Sequence, residues 1–211
     1  MSAEGPQPAR EQLYELALAD WRREVFDIYR EVRTDRDPEQ AHGRWRERRD
    51  RLFREHSESP LAVDDPLRKT GIPYWPYDPR LRFSVPVLKA ARPVRRSLPT
   101  EGEEVTELRQ VGWVELPEAL GPRLAVWWLA QYGGGLFVPF RDQTAGSESY
   151  GAGRYLLDTV KGADLGLDDG RLVFDFNFSY HPSCRYDDAW RCPLAPPESM
   201  LAGAVRAGER M

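Results

Sequence analysis

The residues able to do chemistry concentrate in the last third of the chain. The segment RDQTAGSESYGAGRY places an arginine near each end of a loop rich in glycine and hydroxyl side chains. Guanidinium groups bind carboxylates and phosphates through paired hydrogen bonds, and glycines let a ligand approach the backbone closely. We therefore predict that Arg141, Thr144 and Arg154 bind a small polar or anionic ligand. Asp142 and Tyr150 are the predicted acid–base groups of the same site.

A second pair of polar candidates lies in the segment LVFDFNF, residues 172–178. If this segment is a strand, alternation buries its three phenylalanines on one face and places Asp175 and Asn177 on the other, roughly 7 Å apart. An acid beside an amide can hold a polar ligand, so we predict Asp175 as a catalytic acid or base and Asn177 as a ligand-binding residue. Alternatively, the pair hydrogen-bonds a neighbouring loop or faces water, and Arg154 forms an internal salt bridge with Asp175.

Both cysteines of the chain follow, in the arrangement His181-x2-Cys184-x7-Cys192. The spacing matches no standard zinc signature, in which paired ligands are two to four residues apart, so we predict no metal. Cys184 is a predicted ligand-binding residue. The alternatives are buried or free thiols, a disulfide, a metal or redox site using all three residues, and a Cys184 nucleophile activated by His181.

The bulk composition limits the classes of partner. A net charge of −4 argues against a nucleic-acid-binding protein, which usually carries a basic face. No apolar run approaches the length of a membrane span, and the N-terminus lacks the basic and apolar regions of a signal peptide. We therefore expect a cytoplasmic protein with a small-molecule partner, no nucleic acid, no membrane and no cofactor. The oligomeric state is not predicted.

Two helices are predicted before residue 60, after a frayed start over residues 1–9. The first has apolar residues at three- and four-residue spacing, namely Leu13, Leu16, Ala17, Trp21, Val25, Ile28, Tyr29 and Val32. The second begins at Asp37-Pro38, since Asp is a good N-cap and Pro is tolerated at the first helical position. It turns Trp45, Leu52 and Phe53 inward. Such amphipathic helices need a surface to pack on, so we interpret residues 1–60 as a brace.

Beyond residue 60 the pattern changes to strands joined by short turns. The predicted strands are Leu81–Ala90, Val105–Leu116, Leu124–Tyr132, Leu136–Asp142, Arg154–Val160 and Leu172–Phe178. Short connections favour an antiparallel meander. Pro139 makes its strand an edge or a bulge, and the run LAVWWLAQY is apolar on both faces, which is typical of a strand between two layers. The predicted fold is therefore α+β and mainly antiparallel β, a barrel-like or sandwich meander over residues 61–211 that forms one unit with the helical brace. A short helix is expected in the tail from Ser199 to Met211.

The chain resembles the DUF1684 family of bacterial and archaeal proteins, most strongly over residues 137–197. The family pattern has an Asp-x-Thr-Ser-Gly turn, a Tyr-Gly-x-Gly-Arg-Tyr segment, an Asp-Phe-Asn strand leading to Pro-Pro-Cys, and a Cys-Pro-Leu-x-Pro-Pro close. The matching positions are Asp142 and Thr144, Tyr150 to Tyr155, Asp175 to Cys184, and Cys192 to Pro197. The resemblance covers roughly residues 56–210, and longer members have a further N-terminal region where this chain has its two helices.

The chain departs from the family pattern in three places. Ala145 stands for Ser, His181 and Ser183 stand for Asn and Pro, and Ser199-Met200 stands for Asn-Arg. Because the family has Asn at the position of His181, the resemblance argues against a metal site made with that histidine. It implies a shared site and no particular reaction.

Three functions follow from these observations. The first is a ligand site built from residues 141–192, walled by tryptophans such as Trp75, Trp127 and Trp128, with acid–base catalysis left open. The second is a non-enzymatic interaction or structural protein in which the polar motif stabilises the fold. The third is a metal or redox protein that uses His181, Cys184 and Cys192.

Overall fold

The two predicted helices are present and pack against the sheets. The computed structural model describes residues 7–99, 105–130 and 132–211. Helix α1 spans Gln7–Thr34 and α2 spans Pro38–Glu55. Asp37 caps α2, because its Oδ1 accepts the backbone N–H groups two and three residues later at 3.0 and 3.1 Å. Of the predicted frayed start, residues 1–6 lie outside the described residues, and residues 7–9 are helical instead.

Nine strands and a short third helix follow within the part of the chain that the structure describes. Helix α3 is Leu67–Thr70. The strands are β1 Arg82–Val85, β2 Leu88–Lys89, β3 Arg95–Pro99, β4 Val105–Glu115, β5 Arg123–Leu129, β6 Gly135–Phe140, β7 Arg154–Asp158, β8 Leu167–Asp168 and β9 Arg171–Asp175. Every pairing between these strands is antiparallel. The predicted α+β, mainly antiparallel fold is confirmed.

The strands of the described residues form two sheets. The larger sheet has the order β2-β4-β5-β6-β7, with β3 also paired to β4, and its β4–β7 part is the predicted meander. Within the described residues this sheet is open rather than closed into a barrel. The smaller sheet has the order β1-β9-β8. Pro139 lies at a register shift between β6 and β7, which confirms the bulge alternative.

Strand β5 lies between two apolar layers, as its sequence predicts. Leu124 and Val126 belong to the main core, together with Trp45 and Phe53 of α2. Ala125 and Trp127 point the other way into a smaller cluster. The helices thus supply side chains to the main core. Each fully buried apolar side chain there contributes roughly 1.5–3 kcal/mol to stability.

Several predicted boundaries are wrong. The strand predicted over 81–90 is interrupted at Pro86, and β3 and β8 were not predicted. The strand predicted over 172–178 ends at Asp175, after which residues Phe176–Phe178 form a 3-10 turn. The short helix predicted between Ser199 and Met211 is wrong, because the 3-10 turn Pro197–Ser199 ends where that tail begins and residues 200–211 are irregular. Gln131, in the predicted strand 124–132, lies outside the described residues.

Candidate functional site

Arg154 and Asp142 form the centre of a buried polar network. Arg154, at the start of β7, is 1% exposed and donates to Asp142 Oδ1 at 3.3 Å. Its guanidinium also donates to three backbone carbonyls of the C-terminal segment, those of Val205, Ala207 and Glu209, at 2.7, 2.5 and 3.2 Å. Burial lowers the pKa of Arg154, and the adjacent Asp142 opposes that effect. The network thus joins the glycine-rich loop to the end of the chain.

Both carboxylate oxygens of Asp142, the acidic partner of Arg154, also accept hydrogen bonds. Asp142 Oδ2 accepts the backbone N–H of Val205 at 2.6 Å, and its Oδ1 accepts the hydroxyl of Thr144 at 2.9 Å. The Thr144 hydroxyl is 2.8 Å from that of Ser149, which is also buried. Three of the predicted site residues, Asp142, Thr144 and Arg154, are therefore brought together. Their polar groups hydrogen-bond to one another and to the C-terminal segment.

A second buried network, which sequence reasoning missed, centres on Glu209. This carboxylate is fully buried and accepts from Arg49 Nε of α2 at 2.7 Å. It also accepts the backbone N–H of His181 at 2.6 Å and the hydroxyl of Tyr186 at 3.0 Å. The residue sits in an irregular tail, and its cationic partner is 160 positions away, so no local pattern pointed to it.

Asp175 and Asn177 lie in a third network, apart from the first. Asp175 Oδ1 accepts the backbone N–H of Asn177 at 3.1 Å, and its Oδ2 accepts from Arg82 at 3.2 Å. The Asn177 side chain bonds both the N–H and the C=O of Asp78, at 2.8 and 2.9 Å. Burial raises the pKa of Asp175. The predicted opposite-face arrangement is wrong because the turn at residues 176–178 buries Asp175, Asn177 and the phenylalanines alike. The pair that the structure joins is Arg82 with Asp175, instead of the suggested Arg154 with Asp175.

Arg141 lies outside these networks. Its side chain is exposed, while its backbone N–H and C=O pair with Ser199 and Leu201 at 3.0 and 2.8 Å. The catalytic and ligand-binding roles predicted for the residues of the motif stay predictions. The geometry shows in addition that the buried members connect distant chain segments.

Tyr150 and His181 lead from the motif to the cysteines. His181 Nε2 accepts the backbone N–H of Tyr150 at 3.2 Å, and Nδ1 is 3.5 Å from Glu209. Burial, helped by Arg154 and two further arginines, lowers the pKa of His181 to about 3. The imidazole is therefore neutral near pH 7, and its hydrogen-bond partners assign the proton to Nδ1. The Tyr150 hydroxyl hydrogen-bonds to Cys184.

Both cysteines are free thiols in contact with each other. Each is partly exposed. The Cys184 thiol donates to the Cys192 sulfur, which also accepts the backbone N–H groups of Ser183 and Cys184. Together with Lys161, these donors lower the pKa of Cys192 to about 6 although burial opposes them. The pKa of Cys184 is raised, first by its hydrogen bond to Cys192 and then by burial. Cys192 is thus the thiolate of the pair.

A recess opens beside the cysteine pair, between α1 and the loops around residues 161, 183 and 190. It has a volume of about 40 Å³. Its lining consists of Leu18, Trp21, Arg22, Glu58, Pro60, Lys161, Ser183 and Trp190. We call it the α1 recess. Sequence reasoning missed its α1 residues because nothing local links them to a loop about 140 residues later.

Among the described residues, no group of three or more His, Cys, Asp or Glu side chains is placed to hold a metal ion. The two ring nitrogens of His181 contact the backbone N–H of Tyr150 and the carboxylate of Glu209, rather than a cysteine. The described helices also include none that is long and apolar enough to cross a membrane.

Comparison with known proteins identifies relatives that have no assigned activity. A family model described as a protein of unknown function, DUF1684, matches residues 69–210. Among solved structures, the chain is similar to an uncharacterised protein of Haloarcula marismortui determined by solution NMR. The two are 33% identical, the match covers 79% of this chain and 90% of that chain, and the TM-score is 0.53. No curated protein matches.

Proposed function

We propose that this chain, which belongs to the DUF1684 family, binds a small anionic ligand in the α1 recess. This places the ligand beside the Tyr150, Cys184 and Cys192 end of the predicted 141–192 site. The buried arginine of the motif is not the anchor in this proposal, because its guanidinium already bonds Asp142 and backbone carbonyls.

The observation that carries the proposal is the convergence of Arg22 and Lys161 on one recess. Within the described part of the chain, neither cation has an ion-pair partner within 4 Å. The charge of both acts at longer range on Asp158, whose pKa is raised by burial and lowered in turn by these cations. Two cations that share a concave site without a direct counter-ion favour a bound anion.

The rest of the lining limits what the anion can be. About 40 Å³ is room for a few water molecules or one small group such as a phosphate or carboxylate. Trp21 and Trp190 supply apolar walls, and Glu58 opposes part of the positive charge. The expected ligand is therefore a small anion, or the anionic end of a larger molecule whose remainder lies outside the recess.

Tryptophan fluorescence tests this proposal, since two of the seven tryptophans line the recess. Inorganic phosphate and acetate are titrated separately at constant ionic strength. We expect a saturable change for at least one anion. Lys161→Gln should weaken the binding by about tenfold, the loss of one charge-assisted hydrogen bond. Lys69→Gln is the matched control, since Lys69 is exposed and outside the recess.

A signal that does not saturate, or that Lys161→Gln and Lys69→Gln change equally, would rule out the recess as an anion site. An interaction or structural role is then the remaining candidate. A specific observation favours that second role: the polar side chains of Asp142, Arg154, Asp175 and Asn177 are buried and already hydrogen-bonded within the protein.

A further inference from the structure

The two cysteines are a pair by position as well as by type. They are the only cysteines in the chain, they lie eight positions apart, and the loop between them returns the second to the first. Cys184 lies in the 3-10 turn Ser183–Arg185, and Cys192 lies in irregular chain after the loop. Their thiols touch, and both residues are partly exposed. A small reagent can therefore reach a site where two sulfurs already meet.

The surroundings make the two sulfurs unequal. Hydrogen bonds run in one direction, from the Tyr150 hydroxyl to Cys184 and from the Cys184 thiol to Cys192. Backbone N–H groups and Lys161 add to the positive field at Cys192. Two other groups lie near the pair. Burial first, and then Cys192, raise the pKa of Tyr155, so this phenol stays neutral. Arg185 lowers the pKa of Tyr150. One sulfur thus holds a negative charge near neutral pH, and its neighbour holds a proton.

We propose that Cys184 and Cys192 form a thiol–disulfide exchange site that reacts with small soluble disulfides, with Cys192 as the attacking residue and Cys184 as the resolving residue. This inference does not depend on anion binding in the α1 recess. It rests on the contact between the thiols and on their accessibility.

The reaction balances in two steps. The Cys192 thiolate attacks one sulfur of the small disulfide RSSR, so that a Cys192–SR bond forms, the S–S bond of RSSR breaks, and RS⁻ leaves. The Cys184 thiol then gives up its proton and attacks Cys192 Sγ. The second RS⁻ leaves and is protonated, giving a Cys184–Cys192 disulfide. Overall the protein dithiol is oxidised and RSSR is reduced to two thiols, and the reverse reaction reduces the protein again.

The test uses 4,4′-dithiodipyridine with the whole protein, followed by absorbance and intact mass. Wild type should release two equivalents of thiopyridone and end with a mass lower by two hydrogens and no adduct. Cys184→Ser should release one equivalent and keep one thiopyridyl adduct on Cys192. Cys192→Ser should react at least tenfold more slowly at pH 7 than Cys184→Ser, because burial still disfavours ionisation of the remaining Cys184 thiol. Circular dichroism checks that both variants are folded.

Two results would overturn the proposal. Two stable adducts on folded wild type would show that the second cysteine does not resolve the first. Equal rates for the two serine variants in the folded state would show that the attacking residue is not selected by the site. In denaturant the two variants should react equally, which serves as the internal control for any difference seen when they are folded.

Discussion

Replacing Asp142 with Asn tests whether the family motif stabilises the fold. The carboxylate accepts Val205 N–H at 2.6 Å, the Thr144 hydroxyl at 2.9 Å and Arg154 Nη2 at 3.3 Å. An amide of the same shape has only one acceptor oxygen, so its NH₂ group must face one of these donors. The substitution also removes the carboxylate that is ion-paired with the buried Arg154.

The expected cost follows from that geometry. Removing one partner of a buried ion pair costs about 3–5 kcal/mol, because the remaining charge is not compensated. For a domain of this size, such a loss corresponds to a fall of roughly 10 °C in the melting temperature. We therefore expect Asp142→Asn to lower the free energy of unfolding by about 3–5 kcal/mol at pH 7. Urea unfolding followed by circular dichroism and tryptophan fluorescence measures it.

Two comparisons identify the cause. Asp64→Asn makes the same chemical change on an exposed turn and should alter stability by less than about 0.5 kcal/mol. In an Arg154→Met background, Asp142→Asn should cost less than in wild type, because no buried cation is then left unpaired. A loss below about 1 kcal/mol in wild type would refute the structural reasoning and leave the carboxylate of Asp142 available for the predicted catalytic role.

Two further changes test the buried groups around His181. Burial keeps this imidazole neutral when folded, so the unfolded chain alone takes up a proton as the pH falls from about 6.5 towards 3, and stability is lost over that range. His181→Asn should therefore lose about 2 kcal/mol less than wild type between pH 7.5 and pH 5, as measured by urea unfolding, and an unchanged loss would contradict this assignment. Glu209→Gln should cost about 3–5 kcal/mol at pH 7 because it leaves Arg49 buried without its carboxylate, and near-neutral stability in the same assay would show that the pair is dispensable.

Local patterns in the sequence predict much of this fold. The start of α2 was predictable because Asp37-Pro38 determines both the cap and the first helical dihedral angle. The burial of β5 on both faces was predictable because its apolar residues do not alternate with polar ones. In both cases the signal lies within a few residues of the structure that it determines.

The failures have two physical causes, one local and one tertiary. The strand predicted to continue to residue 178 stops because the Asp175 side chain captures the backbone N–H of Asn177, a local bond that competes with strand pairing. The pairing of Glu209 with Arg49, and the convergence of Arg22 with Lys161, join distant parts of the chain. Such contacts are decided by tertiary packing, so the types of the buried residues were recognisable while their partners were not.

The two proposals differ in which part of the chain each one requires. The family model covers residues 69–210, which include Cys184, Cys192 and Lys161 but neither Trp21 nor Arg22. The thiol pair is built from the matched region alone, whereas the α1 recess also needs the N-terminal helices. Consider a relative that retains both cysteines and Tyr150 but has a truncated or unrelated N-terminal region. We expect such a relative to keep thiol exchange and to differ in anion binding. Anion binding that persists without the α1 residues would place the ligand elsewhere in the 141–192 stretch and would return Arg141, the exposed arginine of the motif, to consideration as its anchor.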